Sequence, residues 1–367
     1  MLPRAAWSAL KRRRRPADVR RILIAHNLLL GDTLMLTALL ARLRARWPDA
    51  SISMTVAPGV APLYAGQPYG VQGLVFDPHR ASTTRRIIQT GPYDLALVPG
   101  DNRYAWLARS AGARWVVALD EPGARLRNRL VDEFVSWPDT PGALADMFAA
   151  LAGPDHGEVY DKAHWPAPIC EPFELLETLP EALPKPPPAR YCVLHVGAGS
   201  TLRHWPAPRW MALAQHLARQ GLVPVWSGGK QEAGLIEAID PHGEFASCAG
   251  RLSLAQLWHL VQGAVLLVVP DTGVAHLAKL TGTPTVCLFG PGSDVLFGAG
   301  RFWREHRFVA VIETDFPCRD QRTLFGRQID WVRRCQRSAA QCAAPACMQA
   351  LDLDRVISAC RQLLEPV

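Results

Sequence analysis

The segment Val269-Pro270-Asp271-Thr272-Gly273-Val274-Ala275-His276 ends an apolar run and opens what reads as a helix. Asp271 suits the N-cap, with Thr272 and Gly273 in the first turn. Free backbone N–H groups and the helix dipole suit a diphosphate there, and Gly273, lacking a Cβ, lets an anion approach the backbone. His276 follows about one turn later, near enough to reach the same ligand. The same residues also describe a capped helix with a satisfied histidine and no ligand. A second candidate is His195-Val196-Gly197-Ala198-Gly199-Ser200, followed by Thr201, Arg203 and His204-Trp205-Pro206. A strand running into small residues and then a cation is the layout of a phosphate cradle, with Gly197, Ser200 and Thr201 around the oxygens and Arg203 neutralising charge.

Two more stretches add acidic groups. In Gly228-Gly229-Lys230-Gln231-Glu232, Glu232 either accepts hydrogen bonds from a ribose or is a carboxylate at a helix N-terminus with no ligand. Gly31-Asp32 follows the first strand and begins a helix. Asp32 is there either a general base for an acceptor hydroxyl or an N-cap.

These groups need a scaffold, and the chain alternates strand and helix patterns twice. Residues 21–26 read as a buried strand, and Thr33 to Trp47 as a helix with Leu36, Leu39, Leu40 and Leu43 on one face. Ser51–Val56, Leu74–Phe76, Leu95–Val98 and Trp115–Leu119 read as further strands. Prolines crowd residues 168–189 and break the pattern. A second series follows, with strands at Tyr191–Val196, Leu222–Trp226, Val265–Val269 and Thr285–Phe289. Helices are expected at Trp210–Arg219, Leu254–Val261 and Gly273–Leu280. Residues from about 318 read as irregular until a helix at Leu353–Leu364. The expected class is α/β with two doubly wound, Rossmann-like domains and a ligand cleft between them. The divisions are 18–170, a proline-rich linker at 171–189, a second domain at 190–350, and a terminal helix at 351–367.

The bulk composition agrees with a globular chain. It has 367 residues, 49% hydrophobic and 20% charged, and no run of apolar residues long enough to span a bilayer. The net charge of +7 is partly local, in Lys11-Arg12-Arg13-Arg14-Arg15. That run either meets a phosphate-rich partner or is a solvated tail. With Leu2, Trp7 and Leu10, residues 1–15 also suit a short helix lying on a membrane surface. No secretory signal is visible. The nine cysteines, Cys192 and Cys287 among them inside apolar runs, are expected to be reduced thiols.

Three blocks together resemble the bacterial heptosyltransferases of glycosyltransferase family 9. They are L-L-G-D-T-L-M-L-T-A-L-L, H-V-G-A-G-S with R-H-W-P, and P-D-T-G-V-A-H-L-A-K-L-T-G-T-P-T-V-C-L-F-G-P, in order between about Arg21 and Pro291. The resemblance implies a GT-B fold and inverting, metal-independent transfer of a heptose from ADP-heptose to a lipopolysaccharide core acceptor, with no cofactor required. It implies Asp32 as base and Thr272, Gly273 and His276 at the donor diphosphate, with Arg203 where many relatives carry lysine. The lack of a visible export signal leads to the expectation of a cytoplasmic protein, the basic N-terminus leaves peripheral contact with the inner membrane open, and no nucleic acid partner is expected. Leu28, Leu29 and Leu30 stand where relatives often carry small polar residues. Gly31, Arg80 and Arg85 are acceptor-side candidates; for Arg80, Arg85 and Arg86 a solvated helix face is the favoured reading.

Cys318, Cys335, Cys342 and Cys347 are separated by 16, 6 and 4 residues, which is not the spacing of a standard zinc site. Unligated thiols are the expectation, a structural metal the alternative. Two other functions compete. A dinucleotide oxidoreductase would need G-x-G-x-x-G after the first strand, and His26-Asn27-Leu28-Leu29-Leu30-Gly31 is not that motif. A transferase using another sugar or acceptor, such as a protein, and a non-catalytic nucleotide-sugar-binding homologue remain alternatives.

Overall fold

The computed structural model describes residues 13–123, 125–171 and 190–365. The cations Lys11 and Arg12, the apolar Leu2, Trp7 and Leu10, and most of the proline-rich stretch lie outside the described residues.

The first sheet contains β1 (Arg21–Ile24), β2 (Ser51–Val56), β3 (Val71–Val75), β4 (Leu95–Val98), β5 (Trp115–Leu119) and β6 (Glu133–Val135). They run parallel in the order β3-β2-β1-β4-β5-β6. The second contains β7 (Tyr191–His195), β8 (Val223–Ser227), β9 (Ala246–Ser247), β10 (Leu266–Pro270), β11 (Thr285–Phe289) and β12 (Phe308–Ile312). It is also parallel, in the order β12-β11-β10-β7-β8-β9. Both have the doubly wound order, with the strand sequence reversing between β1 and β4 in one and between β7 and β10 in the other. Ligands in such sheets bind beyond the carboxyl ends of the strands at that reversal. β4, β10 and β11 are buried along their whole length, as expected of parallel strands covered on both faces.

The expected long first helix is two, Leu30–Met35 and Thr37–Arg46. The Thr37 hydroxyl donates to the Leu34 carbonyl at 2.6 Å, and such a side-chain bond competes with the helix ladder. The apolar face is nonetheless as expected, with Leu36, Leu39, Leu40 and Leu43 fully buried. In the second unit, Trp205, Trp210, Leu213 and Leu217 pack with Val356, Cys360 and Leu363 of the terminal helix Leu353–Leu364.

By contacts the chain divides into two compact units. Residues 300–302 and 322–332 group with the first, 1–168, although most of the chain after 169 forms the second. The region read as irregular contains a hairpin there, β13 (Thr323–Leu324) against β14 (Arg327–Gln328). The basic run is not simply a solvated tail. Arg13 pairs with the half-buried Asp132 at 2.8 Å and Arg15 with Glu133 at 3.1 Å, and Arg109 also binds Asp132. Among the described residues no helix is long and apolar enough to cross a membrane.

Candidate functional site

In the first unit the reversal between β1 and β4 is occupied by the loop His26–Leu29. Burial lowers the His26 imidazole to about 3, so it is neutral, and its Nδ1 accepts from the Leu28 N–H at 3.1 Å. His26 is held in turn by Thr55, which bonds both its N–H and its carbonyl at 2.8 and 2.7 Å. The helix then starts at Leu30, capped by Leu29 without a side-chain bond. Asp32 is therefore not an N-cap. It lies in the first turn of Leu30–Met35, half-buried, where the helix dipole favours the ionised carboxylate. Arg80 precedes the helix Ala81–Thr90 and pairs with Asp77 at 3.4 Å. Arg85 and Arg86 lie on that helix, exposed.

In the second unit the reversal lies between β7 and β10, and both predicted anion loops leave from there. After β7, Ser200 caps the short turn Thr201–Arg203, its hydroxyl accepting from the Leu202 N–H at 3.3 Å. Thr201 is exposed. Arg203 leaves this turn and donates to the Asp271 carbonyl at 2.7 Å, with the Asp271 carboxylate 3.7 Å away. It ties the two loops together. One of its five N–H donors is thus committed, and the others can still meet an anion.

After β10 the cap of the helix Gly273–Thr281 is Thr272, not Asp271. Thr272 makes no side-chain capping bond, so no hydroxyl or carboxylate competes with a ligand for the first-turn amides. Asp271 is fully buried, and burial raises its pKa against the opposing pull of Arg203, Lys279 and Arg334. Its Oδ2 has no hydrogen-bond partner. A Cβ on Gly292 would come within 2.1 Å of that oxygen, so the loop after β11 closes over Asp271 only with glycine there.

Arg203, Ser200, Gly292, Phe297, Arg334 and Arg337 all face a cavity of about 270 Å³ in this unit. The last two lie beyond the motifs that the sequence singles out. The Arg334 main chain is bridged to Gln321 at 3.0 and 3.3 Å. Arg337 is occupied by Asp320 at 2.9 and 3.0 Å and by the Cys318 carbonyl. Glu232 is turned toward the glycines beside it. A Cβ on Gly197 would meet its carboxyl carbon at 3.2 Å, and one on Gly229 its Oε2 at 2.7 Å. Gly197 therefore makes room for Glu232 and for His195, whose Nε2 lies 3.3 Å from the same point.

His276 is buried and its pKa lies well below 6.5, held there by burial, then by Lys279 and Arg203. Lys279, also fully buried, was not anticipated, although it stands one turn after His276. Its ammonium lies 3.3 Å from His276 Nδ1, donates to the Phe297 and Gly298 carbonyls, and packs over the Trp303 and Phe308 rings at 5.4 and 5.1 Å. An ammonium can only donate, so Nδ1 accepts and the proton of the neutral ring sits on Nε2. Because the folded pKa lies below that of the unfolded chain, His276 favours folding above about pH 6.5 and loses this contribution as pH falls. In a Lys279→Met variant the protonation midpoint of His276 is expected to rise toward 6.5. Nitrogen NMR of the ring checks this; an unmoved midpoint, or a parent proton on Nδ1, would contradict it.

The cysteines are free thiols, Cys318, Cys335 and Cys342 half-buried and Cys347 buried. Among the described residues no group of three or more His, Cys, Asp or Glu is arranged to hold a metal ion.

The family model for glycosyltransferase family 9 (heptosyltransferase) matches residues 82–327. Lipopolysaccharide heptosyltransferase 1 of Pseudomonas aeruginosa is 32% identical over 240 residues, 62% of this chain; the match spans 61% of that relative's length. The fold is similar to the glycosyl transferase family 9 structure from Veillonella parvula, with a TM-score of 0.71, 17% identity, and 95% and 98% of the two chains covered. It is also similar to E. coli ADP-heptose lps heptosyltransferase II, with a TM-score of 0.67, 18% identity, and 94% and 98% covered. These likenesses concern the fold, and they agree with the GT-B class expected from the sequence.

Proposed function

The chain belongs to glycosyltransferase family 9, and from that premise we propose that it transfers a heptose from ADP-heptose to a lipopolysaccharide core acceptor with inversion. The observation that carries this reading is the placement of charge at the two sheet reversals. A carboxylate, Asp32, stands at the first, and guanidinium and amide donors at the second. Asp32 takes the proton of the acceptor hydroxyl as that oxygen attacks the anomeric carbon from the face opposite the diphosphate. The leaving diphosphate gains negative charge. Arg203, Arg334, the first-turn amides from Gly273 and the Nε2–H of His276 meet that charge, so the scheme calls for no metal. Ser200, Thr201 and Gly197 border the phosphates, and Glu232 the ribose. Gly31, Arg80 and Arg85 belong to the acceptor side. A lipid-anchored acceptor would draw the chain to the cytoplasmic face of the inner membrane as a peripheral protein.

The donor is tested by thermal stabilisation with a panel of nucleotides. A ligand at 100 times its dissociation constant stabilises by about 2.7 kcal/mol. ADP and ADP-heptose are expected to raise the melting temperature, and UDP and UDP-sugars to leave it unmoved. Stabilisation by uridine nucleotides alone would remove the ADP-heptose assignment. Binding of ADP-heptose without transfer or hydrolysis under any condition would favour a non-catalytic homologue.

A further inference from the structure

The hairpin Thr323–Gln328 comes from the second half of the sequence but is built into the first unit. Its anchor is Arg327, only 2% exposed. The guanidinium donates to the Asp120 carbonyl at 2.6 Å, the Asn102 side chain at 3.0 Å and the Phe325 carbonyl at 3.1 Å, with Glu121 at 3.5 Å. It also lies over the Trp137 ring at 5.4 Å. Leu324, Ile329 and Val332 are buried on either side. So costly an anchor fixes one thing at the tip, which is Phe325.

Phe325 and Gly326 both have positive φ, 49° and 77°. A two-residue turn of this hand prefers asparagine or aspartate at the first position and glycine at the second. An aromatic side chain there is strained, and strain held by its surroundings points to a use for the residue. The ring is half-buried and 6.1 Å from Phe148. A Cβ placed on Gly100, just beyond β4, would lie 3.0 Å from the Leu28 side chain and 3.8 Å from the Phe325 ring. Phe325 and Leu28 thus share one patch at the reversal between β1 and β4, on the loop that leads four residues on to Asp32. Beside Leu28, Leu29 is 80% exposed.

We infer that Phe325, held by Arg327, is a specificity residue of the acceptor site, an aromatic wall that takes the C–H face of the acceptor sugar beside Asp32. This rests on the transferase reading above. Sugar C–H groups are weakly positive and meet the negative face of the ring, while Leu28 and Leu29 continue the apolar surface. The sequence hints at such a surface in the three leucines before Gly31-Asp32, where a small polar set would favour hydrogen bonding to hydroxyls instead.

The test separates contact from folding because asparagine suits the turn better than phenylalanine. Phe325→Asn and Phe325→Tyr are assayed in the full chain, with ADP-heptose and heptose-free lipopolysaccharide as acceptor probe. For Phe325→Asn the acceptor KM is expected to rise about tenfold, with the ADP-heptose KM unchanged and the melting temperature equal or higher. Phe325→Tyr should keep the parent acceptor KM. An unchanged acceptor KM in Phe325→Asn overturns the wall while leaving the transferase reading intact. So does a lowered melting temperature with both KM values raised alike, which marks the ring as core packing. No transfer by the parent overturns the transferase reading itself, and the wall with it.

Discussion

An Asp32→Asn variant is expected to lose about 10²- to 10⁴-fold in kcat, the usual contribution of a positioned general base. The substitution keeps the shape of the side chain and removes its charge and its capacity to take a proton. Asp32 lies in the first turn of Leu30–Met35, and loss of its charge there costs about 0.3–1 kcal/mol through the helix dipole. Folding therefore survives. The groups around Arg203 proposed to bind the diphosphate belong to the other unit, so the ADP-heptose KM and the stabilisation by ADP should not change. The loop before Asp32 is pinned by His26 and Thr55, so a carboxylate moved by one methylene, as in Asp32→Glu, is expected to recover only a small part of the rate. Steady-state kinetics with the donor saturating check this. Parent-like turnover in Asp32→Asn would remove Asp32 as the base, and a lost donor affinity would show that it acts through structure.

The parts of this architecture legible from sequence are those encoded by local period. The apolar strands of the two sheet centres and the buried face of Thr37–Arg46 follow from spacing alone. Three edge strands were missed: β6 is half-exposed and holds Glu133 and β9 has two residues, whereas β12 (Phe308–Ile312) is apolar throughout and was not read as a strand. The candidate site was legible as loops but not as pairings. Nothing in the spacing between Arg203 and Asp271 says that the first would bond the carbonyl of the second. The cap on Gly273–Thr281 moved from Asp271 to Thr272 because burial, Gly292 and Arg203 keep Asp271 for the strand end. Nothing in the sequence marks Lys279 for burial, and only the fold supplies the two carbonyls and two rings that let it be buried. Arg334 and Arg337 were hidden in a stretch with no period. The grouping of 322–332 with the first unit depends on Arg327 finding Asp120, Asn102 and Glu121 more than 200 residues away, which no local rule anticipates.

The largest stability effect is expected at that same arginine. Arg327→Ala leaves the buried Glu121 with only the half-exposed Arg127 as cation and strips donors from Asn102 and from the Asp120 and Leu119 carbonyls. Breaking one side of a buried ion pair costs about 3–5 kcal/mol. For a unit of this size that lowers the melting temperature of the first unit by roughly 6–20 °C. Chemical or thermal unfolding followed by a first-unit probe measures it, and a loss under about 1 kcal/mol would show that the contact is ornamental. The double variant Arg327→Met with Glu121→Gln should recover part of the loss, because no unpaired charge is then buried; the shortfall from additivity reports the coupling of the pair. The consequence for activity should be lopsided. With the hairpin unpinned, Phe325 loses its place beside Leu28, so acceptor affinity falls at temperatures where the chain is still folded. Stabilisation by ADP, proposed to depend on Arg203 and the helix Gly273–Thr281 in the other unit, should persist.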